Sequence, residues 1–157
     1  MHDRVTTRPR KHPDEAQSQP GTNPARGAGG RRGLRSDRMR ILIVDDDMGS
    51  ADALEFLLHS MGYSETRVAY SGEAALAIAA DFCPGMVLLD LSLLDMTGYH
   101  LAQSLRDRAQ SRGVRLIALT SSPEHAGREL ARVAGFECYL VKPIATVELS
   151  KLVETSL

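Results

Sequence analysis

Acidic, hydroxyl and lysine side chains of this sequence recur at the ends of short apolar runs, a position from which several of them could act together. The residues are Asp45, Asp46, Asp47, Asp90, Thr120, Ser121 and Lys142. Carboxylates crowded at one place repel one another, and proteins tolerate this mainly when a cation neutralises them or when protons are retained. A ligand set made only of oxygens favours a hard ion such as Mg2+.

Asp90 is the natural nucleophile of this set. It follows the apolar run 86–89, which would hold it rigidly at the tip of a strand. An Asp carboxylate can attack phosphorus to give an acyl phosphate, and a divalent cation offsets charge on the transferring group. Thr120 could hydrogen-bond one phosphoryl oxygen and Lys142 could pair with another. The residue types therefore predict phosphoryl transfer to a carboxylate.

The elements that must position these residues alternate between strands and helices. Strands are expected at 40–44, 66–70, 86–90, 115–120 and 138–141. Four of them are nearly continuous apolar runs, which is typical of strands buried on both faces. Helical periodicity separates them and follows the last one, and crossovers of this length predict parallel strands. Because all strands then end at one edge, where ligands bind in such sheets, the polar residues are expected to meet there.

Local signals support this division into elements. Asp47 and Ser71 stand where helices should begin, and both residue types are favoured as N-caps. Gly62, Gly113 and Gly135 stand where helices should stop. The predicted domain, residues 39–157, is thus a five-stranded α/β sandwich.

Charge and composition divide the 157-residue chain after residue 38. Residues 1–38 carry nine Lys or Arg against four Asp or Glu, a net charge of +5, whereas residues 39–157 carry ten against sixteen, a net charge of −6. The first segment has almost no large apolar side chains, which predicts a disordered basic tail. Translation starting at Met39 is an alternative explanation of this segment.

Several classes of protein are disfavoured by the sequence. No apolar run approaches the roughly 18 residues that a membrane span needs, and the N-terminus has charged residues where a signal peptide would have its apolar core. Cys83 and Cys138 have neither disulfide-scaffold nor zinc-site spacing. We therefore expect a cytoplasmic protein.

Four segments together resemble the receiver domain of two-component response regulators. They are ILIVDDD (41–47), MVLLDLSLLDMTG (86–98), LIALTSS (116–122) and GFECYLVKP (135–143). They occur in the family's order and spacing, and the resemblance covers almost all of residues 39–157. It implies a flavodoxin-like fold, in which a doubly wound parallel sheet of order 2-1-3-4-5 is flanked by five helices.

The resemblance also implies which residues receive the phosphoryl group and bind the metal. Asp90 would accept phosphate from a phosphohistidine on a sensor kinase or a histidine phosphotransfer protein. Asp46 and Asp90 would hold Mg2+ through their side chains and Ser92 through its backbone carbonyl, while Asp45 would act mainly through a metal-bound water.

Further residues would contact the phosphoryl group or respond to it. By the resemblance, Thr120 and Lys142 contact the phosphate and the small Ser121 lets its backbone N–H approach it. Tyr139 would be the aromatic residue whose rotamer couples to Thr120, although it could instead only fill the edge of the core. The Lys142–Pro143 peptide would be cis.

Three positions depart from the family pattern without removing a member of the phosphorylation set. Leu94 stands where a Pro is common, which predicts a looser segment between Asp90 and Gly98. Thr97 and Gly85 each replace a frequent Asp. These departures concern kinetics and choice of partner more than chemistry.

The expected function is that of a single-domain response regulator without a DNA-binding domain, because the sequence stops at Leu157. Phosphorylation would change a protein-binding face within residues 123–155 and so switch binding to a downstream protein. A receiver-like interaction module that works without phosphate is the main alternative. A Mg2+-dependent phosphohydrolase using Asp45 and Asp47 is a further alternative, although this chain has little room for a substrate pocket.

Overall fold

Five strands and four helices alternate in the computed structural model of the chain, which describes residues 39–108, 113–122 and 134–155. The elements are β1 Ile41–Val44, α1 Met48–Ser60, β2 Thr66–Ala69, α2 Gly72–Phe82, β3 Met86–Asp90, α3 Gly98–Arg106, β4 Arg115–Thr120, β5 Cys138–Val141 and α4 Thr146–Glu154. The five predicted strands are confirmed to within one residue at each end. The predicted tail 1–38 and the fourth predicted helix, at 126–133, lie outside the described residues.

The strands form one parallel sheet in the order β2-β1-β3-β4-β5. A helix lies between most consecutive strands, as parallel pairing requires a long crossover connection. The sheet order and the α/β architecture that the resemblance implied are thus confirmed, and the fold is flavodoxin-like.

Each face of the sheet carries its own apolar layer, because successive side chains of a strand point to opposite faces. The layer on the face covered by α1 and α4, called the α1/α4 face, includes Ile41, Ile43, Leu58, Leu88, Leu119 and Leu149. The layer on the opposite face, called the α2/α3 face, includes Leu42, Ala79, Val87, Leu89, Leu101 and Leu116. Burial on both sides explains why β1 and β3 are continuous apolar runs in the sequence.

The helix ends follow the local signals in the sequence. The side chain of Asp47 accepts a hydrogen bond from the backbone N–H of Ser50 at 2.8 Å, and Ser71 accepts one from Ala74 at 3.1 Å. Both predicted N-caps are therefore confirmed. Gly62 follows α1 with a φ of 90°, a left-handed conformation that glycine adopts without steric cost. Among the helices of the described residues, none is long and apolar enough to cross a membrane.

Candidate functional site

Three strands lead into charged residues on one face of the sheet. Asp90 is the last residue of β3, Asp45 follows β1, and Lys142 follows β5. The two-residue alternation of strands places all three on the α1/α4 face. The parallel register pairs Val44 with Leu89, so the next residues, Asp45 and Asp90, lie side by side. The order of the sheet therefore brings together residues that are far apart in the sequence.

Lys142 bridges the two carboxylates. Its Nζ lies 2.5 Å from Oδ2 of Asp45 and 2.7 Å from Oδ2 of Asp90. These acids are only 1% and 6% exposed, so the lysine supplies the positive charge that their burial demands. Burial lowers the pKa of Lys142, but the hydrogen bonds to Asp45 and Asp90 outweigh it and leave the pKa above its ordinary value. Lys142 is therefore protonated at neutral pH.

Backbone N–H groups fix the other oxygen of each carboxylate. Oδ1 of Asp45 accepts a hydrogen bond from the N–H of Asp47 at 3.0 Å, and Oδ1 of Asp90 accepts one from the N–H of Ser92 at 2.8 Å. Each acid is thus held at one oxygen by a lysine and at the other by the chain that follows it. This arrangement fixes the orientation of the Asp90 carboxylate.

The site carries more negative than positive charge. Asp45, Asp46 and Asp90 each offer a carboxylate oxygen, and these oxygens lie within 4.8 Å of one another. Lys142 balances one of the three charges. The atoms that could bind a metal are all carboxylate oxygens. Asp46 is partly exposed, so its carboxylate is accessible from solvent. This set fits a hard divalent cation such as Mg2+, which is usually held by a few carboxylates and several waters.

Thr120 and Ser121 lie at the same edge of the sheet. Asp90 pairs with Leu119 in the β3–β4 register, so Thr120 is one residue further along the neighbouring strand. The Thr120 hydroxyl is buried, donates to the carbonyl of Ser122 at 3.0 Å and accepts from the N–H of Ser122 at 3.1 Å. Ser121 is exposed. The register thus places both residues at the edge of the sheet where the acidic cluster lies, and their contact with a phosphoryl group stays a prediction.

Tyr139 lies on the same side of the sheet as Thr120. It pairs with Ala118 in the β4–β5 register, and alternation places Tyr139 and Thr120 on the α2/α3 face. Tyr139 is partly buried and packs against the apolar layer of that face. Its position suits either of the two roles considered from the sequence, a switch or a filler of the core edge.

The peptide between Lys142 and Pro143 is cis, as the resemblance implied. The backbone N–H of Lys142 donates to the carbonyl of Thr120 at 2.8 Å, which continues the pairing of β4 and β5 to the point where Lys142 turns toward the acids. Asp47, by contrast, directs its side chain to the start of α1, where it serves as the N-cap expected from the sequence.

Asp95, in the loop between β3 and α3, makes contacts that the sequence did not predict. Its Oδ1 and Oδ2 accept hydrogen bonds from the backbone N–H groups of Gly72 and Glu73, each at 3.0 Å. These hydrogen bonds hold the pKa of Asp95 below its ordinary value. No local pattern reveals the contact, because it joins residues 23 and 22 positions apart.

Gly98 closes the same loop by a close backbone contact. A Cβ at this position would stand 2.7 Å from both the carbonyl oxygen of Asp90 and the Cα of Leu91, and these backbone atoms cannot move aside cheaply. We expect Gly98→Ala to lower the free energy of unfolding by about 1–3 kcal/mol through overpacking. Urea denaturation measures this change.

A glycine of α1 offers the matched control. A Cβ at Gly49 would meet only Oδ1 of Asp47, at 3.4 Å. Since alanine is the better helix former by about 1 kcal/mol, Gly49→Ala should leave stability unchanged or increase it. An equal decrease in the free energy of unfolding of Gly98→Ala and Gly49→Ala would contradict the close backbone contact at Gly98.

Comparison with known proteins assigns the family. The family model "Response regulator receiver domain" matches residues 41–154. The chain is 33% identical over 117 residues to an uncharacterised 14.6 kDa protein of Leptolyngbya boryana, covering 74% of this chain and 88% of that protein. It is 37% identical over 112 residues to the DNA-binding response regulator MtrA of Mycolicibacterium paratuberculosis, covering 71% of this chain and 48% of MtrA. The chain thus spans about half the length of MtrA.

Solved structures agree with this assignment. The chemotaxis protein CheY4 of Vibrio cholerae superposes with a TM-score of 0.71 at 25% identity, covering 76% of this chain and 98% of that chain. The receiver domain of the sensor histidine kinase PA1611 of Pseudomonas aeruginosa, described with a magnesium ion coordinated in its active site cleft, gives a TM-score of 0.68 at 29% identity and covers 74% and 95%. This chain therefore belongs to the response regulator receiver family and contains the receiver domain of a two-component response regulator.

Proposed function

We propose that Asp90 accepts a phosphoryl group from a phosphohistidine on a sensor histidine kinase or a histidine phosphotransfer protein, in a reaction that depends on Mg2+. The observation that carries this proposal is the surroundings of Asp90. It ends a fully buried strand, is oriented by Lys142 and the N–H of Ser92, and lies among two further carboxylates. This is the environment of a fixed nucleophile beside a cation site.

In the transfer, the carboxylate of Asp90 forms an oxygen–phosphorus bond while the phosphorus–nitrogen bond of the donor breaks. The imidazole of the donor leaves with the electron pair of that bond. Lys142, already beside Oδ2 of Asp90, would remain paired with the negative charge of the product. We propose that the hydroxyl of Thr120 and the N–H of Ser121 hydrogen-bond the transferred oxygens.

The acidic cluster would supply the metal site. Asp45, Asp46, Asp90 and the backbone carbonyl of Ser92 would hold Mg2+, with Asp45 acting mainly through water. When bound, the ion would offset negative charge on the phosphoryl group. The magnesium ion described in the PA1611 receiver domain supports this assignment, as does the excess of carboxylates over lysine in the cluster.

We propose that phosphorylation changes protein binding, so that the chain is a signalling phospho-acceptor rather than a conventional enzyme. We also propose that it acts in the cytoplasm. A phosphoryl group adds nearly two negative charges beside Thr120. We propose that Thr120 and Tyr139 shift together and alter the face formed within 123–155, biasing an existing equilibrium. Of this face, residues 123–133 lie outside the described part of the chain.

The test is the response of the chain to beryllofluoride, a phosphoryl mimic, in the presence of Mg2+. We expect 1H–15N NMR spectra to show new positions for the amides around Asp90, Ser92 and Thr120. Beryllofluoride without Mg2+ is the control and should leave these amides unchanged. If the complete mixture also leaves them unchanged, the proposal fails and the phosphorylation-independent interaction module becomes the better account.

A further inference from the structure

The loop 91–97 between β3 and α3 decides where Ser92 lies. The N–H of Ser92 orients Asp90 at 2.8 Å, and its carbonyl is a proposed cation ligand. The two ends of the loop are joined by the hydrogen bond from the N–H of Gly98 to the carbonyl of Leu91 at 3.1 Å. Leu94, in the middle of the loop, is 92% exposed, so its side chain does not anchor the loop to the described part of the chain. Contacts that hold this part of the loop must therefore come from its neighbours.

Asp95 connects the loop 91–97 to the start of α2 by hydrogen bonds. Its two carboxylate oxygens accept the N–H groups of Gly72 and Glu73, while the N-cap Ser71 accepts that of Ala74. Asp95 and Ser71 together satisfy the three N–H groups of the first turn, which have no partner within a helix. A negative charge is also favourable at a helix N-terminus. The contact is thus a strong one for an exposed side chain.

Met96 adds an apolar contact at the same place. A Cβ on Gly72 would lie 2.5 Å from Cγ and 2.6 Å from Sδ of Met96. The absence of a side chain at Gly72 therefore lets the residue after Asp95 rest directly on the first turn of α2. Polar and apolar contacts at adjacent residues hold the loop against one helix end.

We propose that Asp95 is a positioning residue for the cation site, because it holds the loop 91–97 against α2 and so keeps Ser92 in place beside Asp90. The inference rests on the proposed function. It gives the loop a tether to α2, whereas a proline in place of Leu94 would restrict the chain locally. Asp95 acts through Ser92 and touches neither Asp90 nor the proposed ion.

The test is calorimetric titration of the full 157-residue chain with Mg2+. We expect Asp95→Ala to bind Mg2+ about 10-fold more weakly, in the range seen when a residue supporting a metal ligand is removed. Hydrogen–deuterium exchange of the metal-free protein should show faster exchange at the N–H of Ser92. Should Asp95→Ala not fold, Asp95→Asn, which keeps one acceptor oxygen, replaces it under the same criteria.

Two control variants separate positioning from simpler effects. Ser71→Ala removes a cap from the same helix end but leaves the loop contact, and Glu73→Gln removes a negative charge from the same helix turn. Both are expected to bind Mg2+ within about twofold of the wild type, since neither supports a ligand. An equal weakening in either control, or unchanged affinity and exchange in Asp95→Ala, overturns the inference. A wild-type chain that binds no Mg2+ overturns the proposed function and this inference with it.

Discussion

Asp90→Asn is expected to lower phosphoryl incorporation from acetyl phosphate by at least about 1000-fold, because the amide replaces the only proposed nucleophile. The substitution keeps the size of the side chain and leaves Oδ1 able to accept the hydrogen bond that Ser92 now donates. The amide nitrogen in place of Oδ2 loses the hydrogen bond from Lys142, which keeps Asp45 as its partner. A loss of acceptance would therefore reflect chemistry rather than a collapse of the site. Incorporation of radiolabelled phosphate at saturating Mg2+ measures the effect.

Asp52→Asn is the matched control for this experiment. Asp52 is an exposed acid of α1 whose carboxylate accepts a hydrogen bond from the hydroxyl of Tyr70 at 2.7 Å. The same chemical change is made there outside the acidic cluster, and incorporation should equal that of the wild type. Substantial labelling of Asp90→Asn would contradict the assignment of the acceptor.

Lys142→Met should lower the free energy of unfolding of the metal-free protein by about 2–3 kcal/mol, because it leaves two buried carboxylates without their cationic partner. Asp45 and Asp90 are almost fully buried, whereas the side chain of Lys142 is 19% exposed. The loss is therefore expected to fall below that for a completely buried pair. Urea denaturation in the presence of a chelator measures it.

Added Mg2+ should recover part of this loss, since a bound cation stabilises the folded state and supplies the missing positive charge. Lys151→Met, at an exposed position of α4, is the matched control and should change stability by no more than about 0.5 kcal/mol. Equal stability of the two variants without Mg2+ would show that Lys142 does not balance the acidic cluster.

The strands were predictable because their signals are local. β3 and β4 begin and end where the apolar runs predict, whereas β2 is one residue shorter than expected. The difference lies at Tyr70, whose hydroxyl hydrogen-bonds Asp52 of α1. That contact depends on the packing of the helix against the sheet, and periodicity in the sequence carries no information about it.

The site was predictable where topology alone decides it. Once the strands are parallel, Asp45, Asp90 and Lys142 must reach one edge of the sheet, and the structure brings them into contact. The sequence did not reveal that Lys142 contacts both acids. It also missed Asp95, whose contact with α2 depends on how a loop packs against a helix that precedes it in the chain.

We propose that the carboxylate of Asp90 becomes an acyl phosphate. To test this, the chain is incubated with Mg2+ and a phosphohistidine donor, the product is reduced with borohydride, and the modified residue is located by peptide mass spectrometry. Reduction converts an aspartyl phosphate to homoserine, and we predict homoserine at position 90. Homoserine in place of a different aspartate would contradict this proposal. So would a chain that takes phosphate from the donor but contains no homoserine after reduction.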